Sequence, residues 1–336
     1  MTKNDTQVLL DHLQDISLSE KRILVTGGAG FLGSWMCETI IRKEGSVICA
    51  DNLSSGRYSN IEHLIHLSQF TFVNHDISHP LEIDGPLDYV MHLASRASPL
   101  EFTQYPLEIL KSNTLGTMNA LEIARKFDAS FLFTSTSEIY GDPSVTPTPE
   151  TYRGNVNTIG IRGCYDEAKR AGEAICMAFH REYGTDVRIA RIFNTYGPKM
   201  RSDGHYGRVV PRFIDQALNN RPITIFGDGL QTRSFCYVTD QIEGLVRLAC
   251  IPELTGTPIN IGNPLEVTII DLAKRIIDRT GSKSELEFHE LPEDDPRRRC
   301  PDISRARELL NWAPKVDLNT GLDAMIQVVS RIKQGP

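Results

Sequence analysis

Several common signatures are missing from this 336-residue chain. No Cys-x-x-Cys pair occurs. The seven cysteines (Cys37, Cys49, Cys164, Cys176, Cys236, Cys250 and Cys300) are scattered and odd in number, which argues against a disulfide framework and against a zinc cage. Of the nine histidines, His63 and His66 lie three apart without a third ligand nearby, so they read as a solvated helix face, and no metal is expected. No run approaches the ~20 apolar residues that span a membrane. The first twenty residues are polar and acidic, without the basic start and apolar block of a secretory signal. Basic residues are not in excess: 36 Lys+Arg face 43 Asp+Glu, a net charge of -7, which does not suit a general binder of nucleic acid. The local clusters Arg297-Arg298-Arg299 and Glu293-Asp294-Asp295 read as solvated. These absences describe a reduced, cytoplasmic, soluble protein.

What is present is enough to build a core: 40% of residues are hydrophobic and 24% charged. The length suits one large α/β domain with an appendage, or two domains. Val8, Leu9, Leu13 and Ile16 predict a leading helix within residues 1–20. Short apolar runs at 22–26, 46–50, 70–73, 89–93, 130–134 and 187–192 then alternate with helical stretches at 31–43, 106–126 and 165–183. Buried strands alternating with helices specify a doubly wound parallel sheet covered on both faces. Beyond Gly197 the alternation loosens. Helices are expected at 209–219, 239–250, 269–280 and 318–333, and strands at 223–226 and 259–261. The expected division is a leading helix (1–20), a nucleotide-binding domain (21–197) and a smaller C-terminal lobe (198–336), whose segments are free to return to the first domain.

The segment Thr26-Gly27-Gly28-Ala29-Gly30-Phe31-Leu32-Gly33 sits between a predicted strand and a predicted helix. Glycines there permit a tight turn, let the backbone approach a pyrophosphate, and allow close helix–sheet packing. The helix N-terminus presents free N–H groups to phosphates. Asp51 ends the next strand, 18 residues after Gly33, near the spacing of a ribose-binding carboxylate. A carboxylate accepts from the ribose 2′-hydroxyl and repels a 2′-phosphate, so NAD is favoured over NADP.

Tyr165 and Lys169 lie four apart on a predicted helix and share a face. An ammonium near a phenol is expected to lower its pKa from ~10 and make it a base toward a sugar hydroxyl.

Through these residues the chain resembles the extended short-chain dehydrogenase/reductases that modify nucleotide sugars, a Rossmann fold. The matching stretches are TGGAGFLG (26–33), DN (51–52), HLAS (92–95), TSTSEIYGDP (134–143), YDEAKR (165–170), RIFNTYGP (191–198) and QTRSF (231–235). Within that group it is most similar to the UDP-glucuronate decarboxylases, through Thr136-Ser137-Glu138, Gly207-Arg208-Val209-Val210 and DDPRRRCPDI (294–303), which contains Arg299.

The resemblance implies NAD contacts from Gly27, Gly30, Phe31, Leu32, Gly33, Asp51, Asn52, Asp76, Ile77, Leu93, Ser95, Tyr165, Lys169 and Thr195. It implies that Lys111, Asn194, Arg208 and Arg233 hold a UDP-sugar, since phosphates need such donors. Thr136, Glu138, Tyr165, Lys169 and Arg299 would be catalytic. A homodimer is implied, paired through helices 106–126 and 165–183, with Leu107, Leu110, Leu121, Ile175 and Phe179 among their apolar residues. The sequence departs from the decarboxylase pattern at Arg96, Thr158 and Ile161, where prolines are expected, and at Cys300, where lysine is usual. Arg96 is then either a second binder of the sugar carboxylate or the partner of Glu101 or Glu138. Three alternatives to decarboxylation stay open: 4-epimerisation, with Arg96 or Arg201 restraining the carboxylate, 4,6-dehydration, and a non-catalytic NAD sensor on the same fold.

Overall fold

A computed structural model describes residues 3–201, 208–291 and 296–334. The apolar runs form a seven-stranded sheet: β1 (Arg22–Thr26), β2 (Ser46–Asp51), β3 (Phe70–Asn74), β4 (Tyr89–His92), β5 (Ser130–Thr136), β6 (Val187–Ile192) and β7 (Pro258–Ile261). The order is β7-β6-β5-β4-β1-β2-β3 and every pairing is parallel. Ile23, Leu24 and Val25 are all sealed from solvent, as a central strand covered on both faces requires. The chain reverses direction across the sheet between β1 and β4. Their carboxyl ends, Thr26 and His92, therefore frame the crevice in which such sheets bind ligands.

Helices α1 (Lys3–His12), α2 (Phe31–Arg42), α3 (Pro106–Asn113), α4 (Leu115–Phe127), α5 (Gly163–Tyr183) and α6 (Val238–Cys250) surround this sheet. The helix expected over 106–126 is two helices. It breaks at Thr114, whose φ and ψ are -111° and -71° and whose hydroxyl donates to its own i-4 carbonyl, Leu110 O, at 2.7 Å. The leading helix is tied to α6: the Arg247 guanidinium donates to Asp15 (2.8 Å) and to the His12 carbonyl (2.8 Å). His63 and His66 do not share a regular helix. Two short 3₁₀ turns occupy that region, and His63 meets Glu38 at 3.0 Å.

The second lobe holds helices Val209–Leu218, Ile269–Thr280 and Leu318–Gln334. It also holds a small sheet in which Thr232–Ser234 lies between Glu266–Thr268 and Arg298–Arg299. Residues 238–261 return to the first domain, where β7 pairs with β6 and completes the sheet. α6 is buried along its length, including Asp240 and Glu243. One apolar core runs from Ile23 and Trp35 through Ile242 to Phe213, Ile276 and Leu322, so the lobes share it. Gly207, Glu293 and the Asp294-Asp295 pair fall outside the described residues.

Candidate active site

A cavity of about 1010 Å³ opens along the carboxyl edge of the sheet and under the second lobe. Every candidate residue lines it, from Gly27 and Asp51 through Tyr165 and Lys169 to Arg208, Arg233 and Arg299. This one observation joins residues drawn from more than 270 positions of sequence.

At one end the glycine loop turns after β1. Gly27 has φ +70°, and a Cβ there would fall 2.6 Å from the Ala94 backbone. At Gly33 a Cβ would fall 2.0 Å from the Gly27 carbonyl oxygen, so only glycine lets α2 seat against the loop. No side chain caps the start of α2. Its first turn lines the cavity edge, and helix N-termini of this kind offer free N–H groups to phosphates. Asp51 accepts from the backbone N–H groups of Ala29 (2.9 Å) and Leu53 (2.8 Å), and burial raises its pKa. Asn52 donates to Asp76 at 3.2 Å, and the two lie side by side beyond Asp51. Leu93 and Ser95 follow β4, with Leu93 N–H on the Thr26 carbonyl at 3.1 Å. The Thr195 hydroxyl is turned inward, within 3.0 Å of the Phe193 carbonyl and the Gln241 amide oxygen. Its backbone is what remains to meet a ligand. A loop for pyrophosphate, a carboxylate for ribose and an apolar floor together fit a dinucleotide.

The centre of the site departs from expectation in its electrostatics. In the unliganded site the Lys169 ammonium is engaged away from Tyr165. The Lys169 ammonium donates to the Thr134 carbonyl at 2.7 Å and lies 5.0 Å over the Phe133 ring, and burial pushes its pKa down to about 7. Tyr165 is packed flat on Phe102, with ring centroids 5.2 Å apart. Burial pushes its phenol up to about 12. Arg208 pulls the other way, Glu138 raises it further, and the Thr136 hydroxyl lowers it. The unliganded phenol is thus held protonated. Beneath the pair, His92 shares a 2.7 Å hydrogen bond with Thr26 and stacks against Phe131 and Phe133. Burial, and next the charge of Lys169, push it down to about 3, so it stays neutral.

Glu138 follows Thr136 at the end of β5, where the Thr136 hydroxyl accepts from the Glu138 N–H at 3.3 Å. Burial alone would raise the carboxyl, but the guanidiniums of Arg299 and Arg162 hold it down at about 2. Arg299 engages Glu138 through both terminal nitrogens, one at 2.6 Å, and Arg162 pairs with the same carboxylate. Arg162 also approaches Asp166 at 3.7 Å, and burial and then Glu138 push Asp166 up to about 7. Sequence reasoning missed Arg162. Its signal was available, since it stands three residues before Tyr165, nearly one helical turn.

Arg96 lines the cavity, but its guanidinium is already committed. It donates to Glu101 at 2.6 Å, meets Glu108 at 3.2 Å and stacks 4.2 Å over Tyr105. Of the two roles open to it, the partner of Glu101 is the one the structure gives. Arg208 donates to the Ala97 carbonyl at 2.9 Å, Arg233 to the Thr232 carbonyl at 2.8 Å, and Asn194 to the Ser234 carbonyl at 3.4 Å. Lys111 lies on α3 at the cavity rim. A second polar cluster, His12, Asp240 and Glu243, has the spacing of metal ligands, but Lys315 and Arg247 neutralise Glu243 at 2.8 and 3.0 Å, so it is an ion-pair network.

The model of the NAD dependent epimerase/dehydratase family matches residues 23–262. The chain belongs to this family. It is 48% identical over 308 residues to UDP-glucuronic acid decarboxylase 6 of Arabidopsis thaliana, covering 91% of this chain and 88% of that protein. It is 46% identical over 311 residues to UDP-glucuronic acid decarboxylase 1 of Danio rerio, covering 93% and 73%. Among solved structures it resembles the UDP-glucuronic acid 4-epimerase of Bacillus cereus in complex with UDP-glucuronic acid and NAD. There the identity is 29%, the TM-score 0.82, and 93% of this chain and 99% of that one are covered. It also resembles the UDP-glucose 4-epimerase of Thermotoga maritima, at 31% identity and TM-score 0.83, covering 92% and 98%.

Proposed function

We propose that this family member is an NAD-dependent decarboxylase that converts UDP-glucuronate to UDP-xylose. The observation that carries the reading is the cluster of Glu138, Arg299 and Arg162 beside Tyr165. It offers two guanidiniums, one of them bidentate, where a sugar carboxylate can take over from Glu138. The similarity to the decarboxylases supports it, at 46–48% identity against 29–31% for the two epimerases. The commitment of Arg96 to Glu101 and Glu108 removes one cation that a 4-epimerase would use to restrain the carboxylate.

NAD, when bound, supplies a reversible hydride acceptor and a positive ring. Gly27, Gly30, Phe31, Leu32, Gly33, Asp51, Asn52, Asp76, Ile77, Leu93, Ser95 and Thr195 would hold it. Tyr165, as the phenolate that the positive ring of bound NAD would favour over the protonated phenol of the unliganded site, takes the proton of the C4 hydroxyl, and the Thr136 hydroxyl hydrogen-bonds that oxygen. The C4 ketone lies β to the carboxylate on C5, so the C5–carboxylate bonding pair passes into the ketone as carbon dioxide leaves. The resulting enolate takes a proton at C5, and return of the hydride to C4 with the proton held by Tyr165 restores the C4 hydroxyl, so there is no net redox change. Glu138 becomes available for that proton traffic once the substrate carboxylate draws Arg299 away. Lys169 keeps the strand end and the cofactor side in place. Lys111, Asn194, Arg208 and Arg233 hold the nucleotide.

We further propose that the enzyme works as a cytoplasmic homodimer. Its seven cysteines are free thiols, which suits a reducing compartment. Leu107 and Met118 leave apolar surface on α3 and α4. No helix among the described residues is long and apolar enough to cross a membrane. The deciding experiment incubates the purified protein with UDP-glucuronate and reads the product by mass and NMR. A product lighter by one carbon dioxide is expected. An isomer of unchanged mass would establish the epimerase instead, and no product would favour the NAD sensor.

A further inference from the structure

Arg212 stands apart from the other cations of the cavity. It lies four residues after Arg208, one turn along the helix Val209–Leu218, and lines the cavity wall. Its guanidinium lies over the Phe226 ring, 5.1 Å from the centroid. Its Nε is buried without a hydrogen-bond partner, and among the described residues no carboxylate pairs with it. Burial is the only influence on its pKa, and it lowers it. A desolvated guanidinium without an anion costs stability, so a fold that retains one has a use for the charge elsewhere.

The placement says where that use lies. Arg299 pairs in register with Arg233 on the neighbouring strand, and Arg299 holds Glu138. Gln231 lies two residues from Arg233 on the same strand direction and donates to the Phe226 carbonyl at 2.7 Å. The cavity wall therefore runs from the reacting end at Glu138, past Arg299 and Arg233, to Phe226. Arg212 reaches this wall from the opposing helix. Helical side chains lean toward the N-terminus, so Arg212 leans back over the turn that carries Arg208.

We propose that Arg212 is a binding residue for the diphosphate of the nucleotide sugar, held against Phe226 with its N–H groups available to the phosphate oxygens. The proposal rests on the nucleotide-sugar reading above and adds a contact that none of its motifs contains. Arg208 and Arg233 each donate to a backbone carbonyl. A third, unspent guanidinium matches a group with two charged phosphates and many acceptors. Contact with the Phe226 and Phe213 rings restrains the guanidinium, so little entropy is lost on binding.

The test titrates UDP and, separately, uridine into the NAD-loaded full chain and its Arg212→Gln variant by calorimetry, and follows unliganded melting. Because Arg212 has no hydrogen-bond or ion-pair partner among the described residues to lose, and glutamine relieves a desolvated charge at the cost only of its contacts with the Phe226 and Phe213 rings, the variant should melt at or above the wild-type temperature. Its UDP affinity should fall by about 10- to 100-fold, the range of a lost hydrogen bond to a charged group. The dependence of UDP affinity on salt should flatten, while uridine binding stays unchanged. UDP affinity equal to wild type would overturn the proposal. So would equal weakening of UDP and uridine, which would mark a nucleoside contact. If wild type ignores UDP but binds GDP or dTDP, the UDP-glucuronate reading fails by itself, and the same comparison with that nucleotide still judges Arg212.

Discussion

At the scale of single residues, two ionisable side chains of the cavity sit in environments that pull in opposite directions. Tyr165 is held protonated by burial, whereas Glu138 is held ionised by two guanidiniums. Replacing Tyr165 by Phe keeps the stack on Phe102 and removes the proton acceptor. Turnover of UDP-glucuronate should fall by roughly 10²- to 10⁴-fold while UDP still raises the melting temperature. Turnover within a few-fold of wild type would remove Tyr165 from its role. Glu138→Gln leaves Arg162 and Arg299 as nearly buried cations without their anion, so it should destabilise the unliganded chain by about 3–5 kcal/mol at neutral pH. The sign with pH follows from the depressed carboxyl. The wild-type advantage is complete above the ordinary value of 4.5 and disappears as pH falls through about 2. Thermal melts of both proteins at a series of pH values should therefore converge on the acid side. A gap that stays constant or widens would show that the ion triad is not what separates them. The sequence named Glu138, Tyr165 and Arg299, but not their charge states, since these depend on neighbours such as Arg162 and Arg208 that only the fold brings within reach.

At the scale of elements, the parts read best from sequence are those with one local cause. β1 and β6 have the expected limits because an apolar run bounded by turn residues is a local signal. The glycine loop was legible because strand, turn and helix are contiguous there. Gly33→Ala tests how tight that junction is. The added methyl would overlap the Gly27 carbonyl oxygen, so α2 must shift and its phosphate cradle with it. Overpacking of this kind costs about 1–3 kcal/mol. NAD affinity should drop in calorimetry by more than the loss of stability explains, and unchanged affinity would mean that the loop does not hold the cofactor. Other elements had no local cause. The break at Thr114 lies two residues before Gly116, but a lone glycine is tolerated inside a helix, and the apolar pattern of 106–126 reads through it. The committed position of Arg96 depends on Glu101 and Glu108, which form its cage only once the segment after β4 has folded back.

For the whole molecule, the boundary expected near residue 197 marks where the local alternation loosens but not where the first domain ends, because β7 returns to pair with β6 after a long excursion. Strand pairing between distant segments leaves no periodic trace in the residues between them. The apolar residues expected to join two subunits divide in the same non-local way. Leu121 is sealed and Phe179 is 8% exposed, and both serve this chain's own core. Leu107 is 68% exposed on α3 and Met118 is 45% exposed on α4, on the outside of the helices that cover the sheet. Such residues seated at the centre of a two-fold interface would each be lost from a partner's surface twice over. Light scattering at micromolar concentration should give twice the chain mass for wild type, and the single chain mass for a Leu107→Glu, Met118→Glu double variant that still binds NAD. A monomeric wild type would end the dimer proposal. A dimeric double variant would move the interface to another face, since two buried carboxylates facing their symmetry mates would cost more than an interface of ordinary size retains.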